Sequence, residues 1–270
     1  MTTGNSLPVT ADSARPQIHE WNASDQWRVI EFMSDLHLSP LAPATSAAWA
    51  AHLQHTDADA VVILGDLFEV WVGDDARCDA FEARCLEVLA RTSARCWVGF
   101  MAGNRDFLLG ESALADAGVT LLPDPTVLCA FGQRVLLTHG DALCLADVEY
   151  QRFRAEVRSP AWRAQFLSRS LVERRQLAAA MRDASEQRQR ARGRAAYGDI
   201  DSAAAAEWSR LARAPVLIHG HTHQPVSEPM TTALTRHVLS DWHHDDGSAR
   251  GDTLRLSAAG IRRSIARATP

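Results

Sequence analysis

The stretch Val61-Val62-Ile63-Leu64-Gly65-Asp66 reads as a buried strand that ends on a carboxylate. Four consecutive apolar residues, three of them β-branched, suit a strand covered on both faces of its sheet. Gly65 permits a sharp turn, so Asp66 is presented at the strand's carboxyl end, where open α/β sheets bind ligands. Outward from this stretch the same pattern recurs. Arg28 to Ser34 runs into Asp35-Leu36-His37, Cys96 to Met101 into Gly103-Asn104-Arg105-Asp106, Val135 to Thr138 into His139-Gly140-Asp141, and Val216 to Ile218 into His219-Gly220-His221-Thr222-His223. Each run finishes on Asp, Asn or His. These residues offer oxygen and imidazole ligands without a thiolate, which suits Mn, Fe, Zn or Mg and not a cysteine-type structural zinc.

The intervening sequence fits an α/β arrangement. Helices are expected over Pro43 to His55, Cys78 to Arg91 and Phe107 to Ala117, the last stopping at Gly118 in a capping position. Short strands follow at Val119 to Leu122, Val127 to Ala130 and Val135 to Thr138, and helical periodicity returns from Val148 to Arg213 with breaks near Ser159-Pro160 and Gly198. Further strands are expected at Thr235 to Leu239, Thr253 to Leu256 and Ile261 to Ala266. The fold class is therefore α/β (α+β), a two-layered β core flanked by helices. Residues 1–27 form a polar, mobile lead, 28–146 and 214–270 the core, and 147–213 an inserted helical lid. Asp35 and His37, two apart on an extended chain, are expected to point to the same side.

With 270 residues, 46% of them hydrophobic and 23% charged, the chain has the composition of an ordinary globular protein. A net charge of -5 gives no general reason to expect nucleic-acid binding. The charge is uneven, however: Tyr150 to Arg213 holds 14 Arg against 7 acidic residues, a basic segment in an otherwise acidic chain. Such a segment faces an anionic ligand or surface. All 28 basic residues are Arg, which we read as compositional bias of the genome. Five Cys without a CxxC pair fit reduced thiols in the cytoplasm. The lead lacks a basic start followed by an apolar core, and no apolar run approaches the roughly 20 residues of a membrane span.

A lone Asp after a strand is usually a turn or a helix cap. Seven candidate ligands at strand ends (Asp35, His37, Asp66, Asn104, His139, His219 and His221) instead supply what a pair of divalent ions needs: a bridging carboxylate, several further ligands and open positions for water and substrate oxygens.

Asp35-x-His37, Gly65-Asp66-x-x-Glu69, Gly103-Asn104-Arg105-Asp106, His139 and Gly220-His221-Thr222-His223 together resemble the motif series of the calcineurin-like metallophosphoesterases. That resemblance implies a β-sandwich flanked by helices. It also implies Asp35, His37, Asp66 and His221 on one ion, Asp66, Asn104, His139 and His219 on the other, and Asp66 as the bridge. His223 is then expected behind the ligands, orienting them. The residues linking the ligands extend the likeness to the UDP-2,3-diacylglucosamine pyrophosphohydrolase family of lipid A synthesis over roughly residues 28 to 245, including Ser34 to Leu38, Phe107 to Gly110, Ala142 to Cys144 and Gln224-Pro225.

This narrower resemblance implies two Mn2+ ions, water attacking the α-phosphorus, and a lid that holds acyl chains. Asp66, Asn104, Arg105 and His139 would be catalytic, and Asn104, Arg105, Asp147, Ser185, Gln189, Arg192 and His219 would contact substrate. It further implies a cytoplasmic protein resting peripherally on the inner membrane, with no nucleic acid and no obligate protein partner. Gln189 and Arg192 stand where the family has Asn and Lys. Arg105 stands where the wider superfamily has His; a guanidinium cannot be a general acid near neutral pH, but it can clamp two phosphate oxygens. Phe153, Val157, Trp162, Phe166, Leu167, Leu171, Val172, Leu177 and Met181, interleaved with Arg, fit a lid for a lipid, or equally an ordinary amphipathic hairpin. Trp242, His243 and His244 fall in a C-terminal loop, either near the site or on the surface. The alternative function is another nucleotide or dinucleotide phosphodiesterase on the same scaffold.

Overall fold

The structure, a computed structural model, describes residues 16–192, 198–247 and 249–265. Within the helix over 171–192, side chains 184–186 and 188–192 fall outside the described residues.

Two six-stranded sheets pack face to face. One has β2 (Ile30–Met33), β3 (Ala60–Leu64), β4 (Trp97–Met101) and β5 (Thr120–Leu122) in parallel order, extended by β11 (Asp252–Ser257) and β12 (Gly260–Ile265) as 12-11-2-3-4-5. The other joins β1 (His19–Asn22), β6 (Thr126–Ala130), β7 (Gln133–Leu137), β8 (Val216–His219), β10 (Thr235–Val238) and β9 (Val226–Pro229) as 1-6-7-8-10-9.

β3 shows why its sequence is uninterrupted by polar residues, since all five of its side chains are buried. Ala60, Val62 and Leu64 face the second sheet, where they meet Leu128, Val135, Leu137 and Ile218. Val61 and Ile63 face outward, against Trp49 and Leu53 of α1 (Pro43–His55) and Leu86 and Leu89 of α2 (Ala80–Ser93). The alternation of a strand with cover on both sides is thus read directly from five residues. A short α3 (Glu111–Asp116) completes that outer layer and ends at Gly118, whose φ is +65°. The outer face of the second sheet offers Val127, Leu136 and Leu217 to Ala205, Trp208 and Ala212 of α7 (Ser202–Ala212).

Three expectations change. The polar lead contains β1, paired in parallel with β6, and its Trp21 stacks on Trp97 with ring centroids 4.5 Å apart; residues 1–15 lie outside the described residues. β9, unrecognised in sequence, caps the edge of the second sheet beside β10. The segment ending in α7 belongs to the core and not to the lid, because its buried positions 205, 208, 209 and 212 follow helical spacing against the sheet. The helices that remain in the expected lid are α4 (Val148–Val157), α5 (Pro160–Leu167) and α6 (Leu171–Arg192). No helix among the described residues is long and apolar enough to cross a membrane.

Candidate metal centre

β2 ends at Met33 and β3 at Leu64, so Asp35, His37 and Asp66 stand on the loops beyond the strands. The expected extended Asp-x-His pair is not what places these side chains. Asp35, His37 and Asp66 have φ of 54°, 47° and 53°, and His221 and His223 have 65° and 54°. Non-glycine residues in this left-handed region each cost about 1–2 kcal/mol. Such residues persist where the surroundings dictate them. Here the dictating contacts are backbone hydrogen bonds between the loops: Asp35 N–H to Gly65 O at 3.1 Å, His37 N–H to Asp66 O at 3.0 Å and Leu38 N–H to Leu67 O at 2.9 Å.

Close approach does the rest. A Cβ on Gly65 would lie 2.4 Å from His139 Nδ1, and one on Gly220 would lie 2.4 Å from Asp35 Oδ2. Buried Asp106 accepts from Leu67 N–H (2.7 Å) and Gly103 N–H (2.9 Å), locking the Asp66 loop to the Asn104 loop. Burial and the nearby Asp66 charge push the Asp106 carboxyl up to about 7.

Two groups of ligand atoms result. Asp35, His37 and His223 converge within 4.8 Å of one another, as do Asp35, Asp66 and His139. His37 Nε2 and His223 Nε2 are 3.3 Å apart, and His223 Nε2 lies 3.3 Å from Asp35 Oδ1. In the second group Asn104 Oδ1 is 2.9 Å from His139 Nε2 and 2.8 Å from His221 Nδ1. Asp66 lies between the two: Oδ2 is 3.9 Å from His37 Nε2 and Oδ1 is 3.7 Å from His139 Nε2.

The donor set is oxygen and imidazole throughout. Burial pushes the thiols of Cys85 and Cys144 up to about 12, so neither supplies a thiolate. Ligands bound at about 2.1 Å around one ion stand roughly 3–4 Å from each other, which is the spacing observed. The residues present therefore fit a pair of divalent ions.

His219 is the last residue of β8; its Nδ1 sits 2.9 Å from Gly220 O, and its buried Nε2 has no hydrogen-bond partner among the described residues, which leaves that lone pair open for the ligand role expected of it. His223, expected behind the ligands, stands instead with Asp35 and His37.

Charge in the site follows burial and pairing. Burial pushes the Asp35 carboxyl up, but facing His223, His139 and His37 outweigh it and hold the group far below the usual carboxylate range. Burial opposes protonation of His139, yet Asp66, Asp35 and Asp141 raise it to about 9. Burial and the neighbouring His139 bring His221 down to about 4, leaving its ring neutral and able to coordinate. Burial likewise brings His219 to about 4.

Around the centre, Arg105 donates its backbone N–H to Asp66 Oδ1 (2.8 Å), and its Nη1 lies 3.5 Å from Glu69 Oε1. Glu69 would be pushed up by burial, but His37, Arg105 and Arg182 hold it below its ordinary value.

The lid is tied to this floor. Buried Asp141 accepts from Tyr150 Oη (2.7 Å), Arg154 Nε (2.7 Å) and Arg158 Nη2 (3.2 Å), and Arg158 Nη2 also donates to Gly103 O at 2.8 Å. Arg174, 2% exposed, donates to Val72 O at 2.5 Å and to Asp75 Oδ1 at 2.9 Å. Asp147 caps α4 by accepting from Tyr150 N–H at 3.1 Å. Ser185, Gln189 and Arg192 lie on α6, but their side chains fall outside the described residues. Of the apolar lid residues, Trp162, Leu171 and Leu177 are half-buried against the core. Val157 and Phe166 are buried, whereas Phe153, Leu167 and Val172 are 38%, 42% and 64% exposed. Trp242 is buried against His52 and belongs to the core.

Residues 29–225 match the sequence profile described as calcineurin-like phosphoesterase. The chain belongs to this family. Within it, the phosphoesterase is 42% identical over 240 residues to a Stenotrophomonas maltophilia (strain K279a) protein named UDP-2,3-diacylglucosamine hydrolase, covering 85% of this chain and 95% of that one. A Chromobacterium violaceum protein of the same name is 42% identical, with 86% and 97% covered. A third, from Xanthomonas oryzae pv. oryzae (strain PXO99A), is 40% identical, with 85% and 96% covered.

Proposed function

We propose that this phosphoesterase hydrolyses the diphosphate of UDP-2,3-diacylglucosamine, with water attacking the α-phosphorus, to give UMP and 2,3-diacylglucosamine 1-phosphate for lipid A synthesis. The observation that carries the reading is a buried oxygen-and-imidazole centre beneath a lid that is Arg-rich and exposes Phe153, Leu167 and Val172. The names of relatives 40–42% identical over most of the chain support the same substrate. A wholly polar nucleotide substrate leaves the exposed apolar lid residues without a purpose.

Asp35, His37, Asp66 and His223 would hold one ion and Asp66, Asn104, His139 and His221 the other, with Asp66 shared. His223 joins the ligands expected from sequence, and His219, whose buried Nε2 has no partner among the described residues, would complete the second set. Mn2+, the ion implied by the resemblance to the pyrophosphohydrolase family, is among those that this oxygen and imidazole set suits. Bound ions supply Lewis-acid charge and lower the pKa of water enough to make a nucleophile near neutral pH.

The remaining work falls to the chain. Arg105 stands beside the centre, where its guanidinium can take two phosphoryl oxygens and offset charge that grows on them. Asn104 holds its carbonyl oxygen between His139 and His221 and fixes their spacing. Asp147, Ser185, Gln189 and Arg192 would meet the glucosamine and its phosphate from the lid. Exposed Phe153, Leu167 and Val172, with exposed Arg152 and Arg169, would rest on acyl chains and on the anionic cytoplasmic face of the inner membrane.

The test is hydrolysis in detergent micelles with Mn2+, comparing UDP-2,3-diacylglucosamine with UDP-glucose, a dinucleoside polyphosphate and bis-p-nitrophenyl phosphate. Turnover of the lipid substrate alone, with release of UMP, supports the reading. Cleavage of only the soluble esters would leave a phosphodiesterase with a different substrate.

A further inference from the structure

Glu69 follows the bridging carboxylate by three residues, and its backbone is fixed to the Asp35–His37 loop by a hydrogen bond from its N–H to Leu38 O at 3.1 Å. Its carboxylate is only 15% exposed and meets groups from three separate parts of the molecule. Oε2 is 3.1 Å from His37 Nδ1. Oε1 is 3.5 Å from Arg105 Nη1, on the Asn104 loop, and 3.3 Å from Arg182 Nε, on the lid helix α6.

The chemistry of each contact is constrained. His37 Nδ1 has no well-aligned hydrogen bond, but it stands within ion-pair distance of Oε2, and an ionised carboxylate, which only accepts, favours the proton on the ring nitrogen that faces it. With Nδ1 protonated, the lone pair of His37 is on Nε2, the atom that faces Asp66 and His223. A partner of this kind fixes the ring orientation and makes the other nitrogen a better ligand. The two guanidinium groups that meet at Oε1 would repel each other without it. Gathered at one oxygen, they are also close enough to be shared by one phosphoryl group.

We propose that Glu69 is a positioning residue that sets the tautomer of His37 with one oxygen and, with the other, joins Arg105 to Arg182 so that α6 is held over the phosphate-facing side of the site. The inference rests on the assignment of His37 as a metal ligand made above. It gives Arg182 a role as well: this residue links the lid to the phosphate clamp. An ordinary surface ion pair contributes little and would be indifferent to its removal. Here the same carboxylate serves metal binding and substrate binding at once, so the two should weaken together.

The experiment uses the full chain as wild type, Glu69→Gln, Arg182→Ala and the double variant. Mn2+ affinity is read by electron paramagnetic resonance of free Mn2+, the thermal midpoint is taken without metal, and KM and kcat are measured on UDP-2,3-diacylglucosamine. Glu69→Gln keeps the size of the side chain and should leave the metal-free midpoint unchanged, while Mn2+ affinity falls roughly 10- to 100-fold. Saturating Mn2+ should then restore kcat but not KM. Arg182→Ala should raise KM with wild-type Mn2+ affinity, and the double variant should raise KM no further than Glu69→Gln alone.

Wild-type Mn2+ affinity and KM in Glu69→Gln would overturn the proposal. So would a metal-free midpoint that falls in step with the other losses, since that marks a scaffold residue. Should Glu69→Gln fail to fold, the residue is a scaffold one and the His37 role fails; a wild-type KM in Arg182→Ala would remove the lid role as well. If the wild-type protein neither binds Mn2+ nor cleaves this substrate, the functional reading above fails; if it does both and Glu69→Gln matches it, only the role of Glu69 fails.

Discussion

In the loops beneath the lid, Asp35, His37, Asp66, His221 and His223 all carry left-handed backbone; main-chain hydrogen bonds join the Asp35–His37 loop to the Gly65–Asp66 loop, and His221 N–H donates to the Asp35 carboxylate. In the lid, no described residue of α4, α5 or α6 has a positive φ, and the helices are tied down by side chains, chiefly Arg154 and Arg158 on Asp141 and Arg174 on Val72 and Asp75. The first region is over-determined and has one arrangement. The second rests on side chains: those arginines, Phe166 in the core cluster, and Trp162, Leu171 and Leu177 packed against it. Two ions held at fixed spacing would need the first kind of construction, and the entry of a two-tailed lipid the second.

This contrast can be broken or sharpened by substitution. The largest effect is expected for Asp66→Ala, which removes the carboxylate facing both ligand groups. Turnover should fall on the order of 10³-fold or more, with metal content reduced in the same protein. Arg105→Ala should lower turnover about 100-fold while metal content, read by elemental analysis, stays near wild type. Loss of metal in that variant would contradict the role given to Arg105.

Gly220→Ala asks whether the floor tolerates any adjustment. Its new Cβ would fall 2.4 Å from Asp35 Oδ2 and 2.2 Å from Ser34 Oγ. Metal affinity should drop roughly 10- to 100-fold with the fold retained by circular dichroism. On the lid side, Arg174→Ala leaves Val72 O without its donor and should destabilise by about 1–3 kcal/mol. Hydrogen exchange should show the loss in α6 while Mn2+ binding persists. Val172→Ser, at a position 64% exposed, should change stability by less than about 0.5 kcal/mol and register only as weaker association with anionic vesicles.

The same contrast governs what the sequence conveys. β3 announces itself because both faces are covered and every residue is apolar. The strand ends announce themselves because Asp, Asn and His recur there. What was not legible was how far each strand runs before its loop begins. β8 continues through His219, the last residue of the strand. The two histidines beyond the strand, His221 and His223, are the ones turned into the site by left-handed backbone. A count of histidines cannot reveal a φ of 54°. β1 escaped for a different reason: His19-Glu20-Trp21-Asn22 is an edge strand whose single large apolar residue gives little periodicity. In the lid, helix was evident from Arg-rich periodicity, but which residues face the centre depends on register across the breaks at 158–159 and 168–170. The pairing of Arg182 with Glu69, 113 positions apart, has no local signal at all.

The most direct measurement is anomalous diffraction from crystals of the Mn2+-loaded protein. Two peaks about 3.5–4 Å apart are expected, one among Asp35, His37, Asp66 and His223, the other among Asp66, Asn104, His139 and His221. A single peak, or two peaks that do not share Asp66, would contradict the centre described above.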